Sequence, residues 1–190
     1  MNPEAINLLS LLFILLFLAI YATYEYYEYK TGVATFPTMP AIRRKTIEIL
    51  RQDAVSCPAA KPYTVLDLGS GSGQMTWQIA RALPNAHVTG VELAYVPWLR
   101  SVLRQRLFGP ANLDYKRVDF WLYDCSAADA VVTYLPGKIM EQVGEKLHKE
   151  LKPDTLVVAN TFPLRAGGEP KETLTLRAPF KTRVFVYRQS

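Results

Sequence analysis

The sequence predicts an α/β protein with a doubly wound, mostly parallel, seven-stranded sheet, preceded by one transmembrane helix. Three features indicate this architecture: an uncharged apolar run near the amino terminus, short β-rich segments that alternate with helical ones, and a glycine loop between the first strand and the next helix. The length of 190 residues suits one domain of ordinary size. Hydrophobic residues make up 49% and charged residues 21%, which excludes a disordered chain.

The apolar run covers residues 5–24 and contains no charge. As a helix it rises about 30 Å, enough to cross a hydrocarbon core. Aromatic rings favour the headgroup zone, and five tyrosines crowd the carboxyl end of the run: Tyr21, Tyr24, Tyr26, Tyr27 and Tyr29. The alternatives are a cleaved signal peptide, whose usual basic start is missing here, and a buried core helix. We expect residues 1–30 to form a membrane anchor in contact with the lipid bilayer.

Basic residues follow this run on its carboxyl side, at Lys30 and in the cluster Arg43-Arg44-Lys45. The positive-inside rule therefore predicts a single-pass protein with residues 30–190 in the cytoplasm. Because no Arg- and Ser-rich, acid-poor segment precedes the run, the sequence favours a bacterial inner membrane, with a mitochondrial membrane as the alternative.

The net charge of +5 is unevenly distributed. Residues 31–190 carry 21 bases against 14 acids, a net of +7. This excess favours anionic lipid, nucleic acid or an anionic substrate without choosing among them. Two cysteines and two histidines are too few for a disulfide framework and lack the spacing of a zinc site, so we expect no metal.

A turn-rich stretch and an amphipathic helix over 41–53 form a linker region, residues 31–53, ahead of the main domain, residues 54–190. Strands are predicted over 64–68, 87–92, 114–119, 130–134, 155–159, 173–177 and 183–187. Helices are predicted over 73–83, 95–107 and 138–151. No helix separates the last two strands, so we expect them to form an antiparallel hairpin at the sheet edge.

The strongest chemical signal is the glycine loop after the first strand. Gly69, Gly71 and Gly73 alternate with serines and lead into a helix, whose free N–H groups and dipole suit a ligand. The spacing is Gly-x-Gly-x-Gly, whereas a pyrophosphate-binding loop has Gly-x-Gly-x-x-Gly. Asp67, two residues before the loop, suits a ligand that brings a positive ammonium and no phosphate.

Two further acids follow the next strands. Glu92 ends the second predicted strand, where a carboxylate can accept from both hydroxyls of a ribose. Asp119 ends the third, where an acid or its neighbours can accept from an adenine amino group. Ligands of open α/β sheets bind at the carboxyl ends of the strands, so the three acids predict one site there.

This loop resembles motif I of the class I S-adenosylmethionine-dependent methyltransferases, which have a Rossmann-like sheet, and the resemblance covers residues 62–160. It implies that Asp67 and the loop lie beside the methionine part of the cofactor, Glu92 beside the ribose, and Asp119 beside the adenine. The cofactor-binding residues that it implies are Asp67, Gly69, Ser70, Gly71, Gly73, Glu92, Leu93, Asp119 and Phe120.

A narrower resemblance is to the membrane-anchored protein-lysine methyltransferases of the ATP synthase c subunit and adenine nucleotide translocase type. It rests on Thr-Phe-Pro-Thr at 35–38, on the glycine loop, and on the motifs at 97–99, 119–121 and 160–164. It implies a lysine amine of a protein as methyl acceptor, including a protein embedded in the membrane. It also implies that Phe36 and Thr38 close over the cofactor.

The segment after the fourth strand reads Val131-Val-Thr-Tyr134-Leu-Pro136. Enzymes that methylate planar nitrogens often carry Asn/Asp-Pro-Pro-Tyr/Phe there, so this segment argues against adenine or glutamine as acceptor. Tyr134 is the candidate catalytic residue, through its ring or hydroxyl; the alternative is that it packs under the cofactor.

Other functions stay open at the level of the sequence. The same fold can methylate a lipid, a quinone or another small molecule, and the basic domain also suits an RNA methyltransferase. Nucleic acid is disfavoured, because the chain has no appended RNA-binding module and a membrane span restricts access. A non-catalytic membrane scaffold is the remaining alternative.

Overall fold

The computed structural model describes residues 2–31, 38–57, 61–177 and 181–190, and this part of the chain forms five helices and seven strands. The helices are α1 (Pro3–Thr31), α2 (Pro40–Ser56), α3 (Gln74–Ala82), α4 (Tyr95–Phe108) and α5 (Met140–Glu150). The strands are β1 (Tyr63–Leu68), β2 (Ala86–Glu92), β3 (Leu113–Arg117), β4 (Ala130–Thr133), β5 (Leu156–Asn160), β6 (Glu172–Arg177) and β7 (Lys181–Arg188).

All seven strands belong to one sheet, in the order β3-β2-β1-β4-β5-β7-β6. The first five strands are parallel, and β7 pairs antiparallel with both β5 and β6. The predicted seven-stranded, mostly parallel sheet with its antiparallel hairpin is therefore confirmed. The chain order reverses at β1, with β2 and β3 on one side and β4 and β5 on the other, and such a reversal opens a crevice at the carboxyl ends of the strands.

Apolar side chains cover both faces of the sheet. On one face Leu50 of α2 and Ile79 of α3 pack with Val65 of β1, and on the other Met140 of α5 packs with Leu66. Successive side chains of a strand point to opposite faces, so Asp67 lies on the same face as Val65, toward α3. The alternation along β1 thus directs a carboxylate to the helix that follows the glycine loop.

Helix α2 is part of the domain core, where a buried carboxylate joins it to two strands. Asp53 is 6% exposed and accepts hydrogen bonds from Tyr63 Oη of β1 and from Arg188 Nη2 of β7. Burial, and then the neighbouring Asp53, raise the pKa of Tyr63 well above its usual range, so the phenol remains a donor. This network fixes α2 against the middle of the sheet.

Two predicted boundaries differ in a way that affects the site. Asp119 was predicted to end the third strand, but β3 ends at Arg117. The Asp119 carboxylate accepts from the Trp121 N–H at 3.1 Å and its carbonyl accepts from the Leu122 N–H at 2.9 Å, so a local turn replaces the ladder with β2. At the amino terminus, α1 continues to Thr31, past the predicted end of the apolar run.

We predict that Asp53→Ala lowers the free energy of unfolding by about 2 kcal/mol, because it leaves the Tyr63 and Arg188 donors without their buried acceptor. Denaturant unfolding of the full chain in detergent measures this change. Glu48→Ala on the same helix removes only the surface ion pair with Lys45 and should cost less than about 0.5 kcal/mol. Equal effects of the two substitutions would contradict the assignment.

Candidate active site

A cavity of about 660 Å³ lies at the carboxyl ends of the parallel strands. Its wall includes nine of the ten residues that the sequence predicts for the site: Asp67, Gly69, Ser70, Gly71, Glu92, Leu93, Asp119, Phe120 and Tyr134. Gly73, the tenth, does not line the cavity. It precedes α3 with a left-handed φ of 70° and determines where that helix begins.

The glycine loop is held by backbone bonds and by a tyrosine behind it. The N–H groups of Gly69 and Ser70 donate to the Val91 carbonyl of β2 at 3.0 and 2.9 Å. Tyr115 Oη of β3 donates to the Gly73 carbonyl at 2.9 Å, and a Cβ at Gly73 would collide with the Tyr115 ring. Both the positive φ and this close approach therefore require glycine at position 73.

Asp67 is a buried carboxylate, only 5% exposed, in the wall of the cavity. Thr76 Oγ1 on α3 donates to its Oδ2 at 2.6 Å. Burial, opposed by the Thr76 hydrogen bond and assisted by the nearby Glu92 carboxylate, raises the pKa of Asp67 to about 6. A cation in the cavity favours the ionised carboxylate, so this residue suits a positively charged ligand.

Glu92 lies at the end of β2, as predicted. Its Oε2 accepts from the Gly71 N–H at 2.8 Å and its Oε1 from the Ala94 N–H at 2.7 Å. Burial raises the pKa of Glu92, and these backbone bonds oppose that effect. Each carboxylate oxygen has two lone pairs, so the fixed group can still accept from two hydroxyls of a ligand.

Two neighbouring aromatic rings, tilted at 45° to each other, follow Asp119 in the wall. The Phe120 and Trp121 ring centroids are 4.6 Å apart, and the Asp119 carboxylate orients this turn through the Trp121 N–H. Trp121 was not among the predicted site residues. A carboxylate acceptor beside two aromatic rings can bind a planar heterocycle that donates hydrogen bonds.

Tyr134 is half-buried on the opposite side of the cavity, one residue after the end of β4. The fully buried Asn160 at the end of β5 also lines the wall. Thr46 Oγ1 of α2 donates to Asn160 Oδ1 at 3.0 Å, and Asn160 Nδ2 has no partner within the described part of the chain. Ser70 Oγ is also buried without a partner there, so two unsatisfied polar groups lie at the cavity.

Helix α1 contributes to the same cavity, which the sequence did not predict. Tyr24, Tyr27 and Glu28 line the wall, and α1 packs against α4. The three positions share one face of a helix. The sequence alone does not show which surface of the protein this face contacts. Thr38 lines the wall, and its closure over the cofactor stays a prediction, whereas Phe36 lies outside the described residues.

A further missed residue is Arg43, which is 9% exposed and lies directly behind the cavity wall. Its Nη1 donates to the Thr38 carbonyl at 2.6 Å and to Gln74 Oε1 at 2.8 Å, and both acceptors belong to residues that line the cavity. Among the described residues no carboxylate pairs with its guanidinium, and its Nε has no partner. Burial lowers the pKa of Arg43. This is a buried cation beside the cavity without a counter-ion.

Solved structures share this architecture. The chain superposes on an RNA methyltransferase from Salinibacter ruber in complex with S-adenosyl-L-homocysteine, with a TM-score of 0.69 and 23% identity over 80% of this chain and 93% of that one. At this identity the likeness shows the fold alone. The fold, together with the glycine loop and the acids around one cavity, defines a class I methyltransferase whose cofactor is S-adenosylmethionine.

The family follows from the sequence comparisons. The model of the ANTKMT methyltransferase domain matches residues 67–171, and the chain belongs to this family of methyltransferases. It is 30% identical to a protein-lysine N-methyltransferase of Saccharolobus islandicus over 73% of this chain and 81% of that protein. It is 28% identical to the mouse adenine nucleotide translocase lysine N-methyltransferase over 60% of this chain. This match covers 49% of the mouse protein.

We predict that Asp67→Asn stabilises the ligand-free protein near neutral pH. The pKa of Asp67 is about 6 in the folded protein against an ordinary value of 3.8, so the folded state binds this proton more tightly. The bound proton therefore stabilises the folded state fully below about pH 3.8, and this stabilisation is lost as the pH rises through about 6. Asparagine stays neutral and should raise the free energy of unfolding by on the order of 2 kcal/mol at about pH 7.5 and by little at about pH 3.5.

Denaturant unfolding of the full chain in detergent at both pH values measures this difference. Asp124→Asn is the control, because Asp124 is exposed and two Ser126 hydrogen bonds, backbone and side-chain, lower its pKa. That variant should show no gain near neutral pH. A gain of the Asp67 variant that is equal at both pH values would mean that ionisation is not its cause.

Proposed function

We propose that this methyltransferase transfers a methyl group from S-adenosylmethionine to a lysine amine of a protein, while α1 anchors it in a membrane. The observation that carries the proposal is the shared cavity: Tyr24 and Tyr27 of α1 line the same wall as Asp67 and Glu92. The two curated relatives are named as lysine methyltransferases, which supports the choice of acceptor.

The cofactor fits the groups around the cavity. We assign the cationic ammonium of its methionine part to the side of Asp67 and the ribose hydroxyls to Glu92, whose position Gly71 and Ala94 fix. The adenine belongs beside Asp119 and the Phe120–Trp121 rings. The unpartnered Ser70 Oγ and Asn160 Nδ2 are consistent with a polar ligand in this space.

Arg43 supplies the opposite charge that a methionine carboxylate needs. A buried charge without a partner is costly, and an anionic group on a ligand removes this cost. Gln74, held by Arg43 at the amino end of α3, lines the cavity and keeps its amide N–H groups as donors. The helix dipole of α3 favours an anion at the same place. We therefore assign the carboxylate to Gln74, with Arg43 as a positioning residue behind it.

When bound, the cofactor supplies an electrophilic methyl group on a sulfonium. The residues of this chain would then have to position a neutral amine in line with it. A free lysine has a pKa of about 10.4, and apolar surroundings favour its neutral form. Leu135, Ile139 and Trp121 give the wall this character, and half-buried Tyr134 is the candidate for contact with the acceptor.

Membrane anchoring rests on the length and composition of α1. Within the segment Glu4–Tyr29 the most apolar stretch of 18 residues has a mean hydropathy of 2.5, and none of that stretch is buried in the protein. Its side chains are exposed apolar groups over most of the helix, and a bilayer would cover them. Lys30 and the basic residues of α2 support the orientation with the domain in the cytoplasm.

The test of the activity uses the full chain in lipid nanodiscs. We expect isothermal titration to show binding of S-adenosylmethionine and S-adenosylhomocysteine, and Asp67→Ala and Glu92→Ala each to weaken it at least about tenfold. Asp124→Ala, on an exposed carboxylate, should bind as wild type does. A folded wild-type protein without affinity for either ligand would refute the cofactor assignment.

Incubation with cofactor labelled in the methyl group and with membrane extracts then tests the acceptor. We expect the label in protein, recovered as methyl-lysine after hydrolysis. Label that is extracted with lipid or quinone, or that is removed by ribonuclease, would refute the lysine assignment and leave the cofactor assignment intact.

We predict that Arg43→Met separates the two ends of the cofactor. Affinity for S-adenosylhomocysteine should fall about tenfold, because Gln74 loses the group that holds it and the carboxylate loses a nearby positive charge, whereas affinity for methylthioadenosine, which has no amino-acid part, should not change. The stability of the ligand-free protein should be equal or higher, since a buried unpaired charge is removed. Arg44→Met, at the exposed neighbouring position, is the matched control. Equal losses for both ligands would show a merely structural role.

A further inference from the structure

The loops at the carboxyl ends of the strands carry apolar side chains that the domain itself does not cover. Tyr95 follows β2 and is 44% exposed, Trp121 and Leu122 follow β3 and are 37% and 83% exposed, and Phe162 follows β5 and is 38% exposed. Trp121 also lines the cavity. Because these loops all follow the carboxyl ends of parallel strands, the four residues lie at the edge of the sheet that carries the cavity.

The end of α1 lies at this same edge. Tyr27 in the cavity wall is two residues before the end of the apolar segment at Tyr29, which is about 3 Å along a helix. The headgroup zone on each side of a bilayer is about 5–7 Å thick. If α1 crosses a bilayer, the cavity is therefore at the depth of the headgroups or immediately outside them.

Basic side chains accompany the exposed aromatic ones. The Arg117 guanidinium lies 5.0 Å from the centre of the Tyr95 ring, and exposed Arg100 belongs to the cavity wall. Exposed Lys138 and Arg165 lie in the loops after β4 and β5. Aromatic rings at the interface and cations toward anionic lipid are the combination that a cytoplasmic membrane surface binds.

We propose that the carboxyl edge of the domain rests on the anionic surface of the bilayer, so that the cavity opens onto the lipid–water interface. This inference rests on the proposed membrane anchor and extends it, because an anchor alone leaves the domain free to turn away from the bilayer. The contact is made by Tyr95, Trp121, Leu122 and Phe162. The partner of this surface is lipid, and an acceptor enters the cavity from the plane of the membrane.

A second exposed apolar group provides the comparison. Leu107 and Phe108 at the end of α4 are 69% and 77% exposed. They lie twelve and thirteen residues of helix from Tyr95, which is about 18 to 20 Å along α4 and away from the carboxyl edge. Both apolar groups are exposed, so exposure alone does not predict which of them touches lipid. We expect contact only at the carboxyl edge, where the end of α1 lies.

The test measures contact with lipid directly, by quenching of tryptophan fluorescence with brominated acyl chains. The full chain is placed in nanodiscs of phosphatidylcholine and phosphatidylglycerol, with and without bromine. In a Trp121→Phe background, Leu122→Trp and Leu107→Trp each add one reporter at an exposed position, where the substitution does not disturb the core. We expect brominated lipid to abolish most of the emission added at position 122 and none of that added at position 107.

The difference in tryptophan emission between wild type and Trp121→Phe reports on the native Trp121 alone. Brominated lipid should quench this difference as well. Unquenched emission at both 121 and 122, or equal quenching at 122 and 107, would overturn the proposed surface. Retention of the full chain in vesicles after carbonate extraction reports the anchor separately. A chain that carbonate removes refutes the anchor itself, whereas a retained chain without quenching at 121 and 122 refutes only the orientation of the domain.

Discussion

The cavity depends on a carboxylate that the fold holds almost out of water. Asp67, the last residue but one of β1, lies on the face toward α3, and Thr76 of that helix donates to it. The position of α3 depends in turn on the left-handed backbone of Gly73, whose carbonyl accepts from Tyr115 of β3. One strand, one helix and a neighbouring strand are thus fixed around a carboxylate whose ionised form is disfavoured by burial. A cation beside this carboxylate would relieve the cost of ionisation, so the site is preorganised for a positively charged ligand.

A charge of the opposite sign is buried on the other side of the α3 amino end. Arg43 reaches Thr38 and Gln74 from α2, and no carboxylate of the described residues neutralises it. A ligand with an ammonium and a carboxylate on one carbon matches two such charges better than a simple cation or anion does. In the proposed binding mode α2, which sequence patterns assign to a linker region, contributes a positioning residue to the site.

Local chemistry explains which parts of the site could be predicted from the sequence. Glycine is favoured at the positive φ angles of the loop, and parallel strands bring their carboxyl ends to one edge of the sheet. The glycines, Asp67 and Glu92 could therefore be identified from their spacing in the sequence. The sequence placed Asp119 in the site but at the end of a strand. In the structure Asp119 lies in a turn, where its carboxylate accepts a hydrogen bond from the Trp121 N–H. Arg43 and Asn160 could not be predicted, since the contacts Arg43–Gln74 and Thr46–Asn160 join residues 31 and 114 positions apart. Such contacts depend on how α2 packs, which no local pattern specifies.

The position of β7 between β5 and β6 has a consequence for synthesis on the ribosome. The apolar α1 emerges first and is available for insertion while most of the domain is still untranslated. Until Arg188 has left the exit tunnel, β5 lacks its neighbour and presents an unpaired edge of backbone N–H and C=O groups. If α1 inserts into a membrane as proposed, the domain completes its sheet beside that membrane, and a chaperone that shields an open sheet edge there would protect it from pairing with other chains.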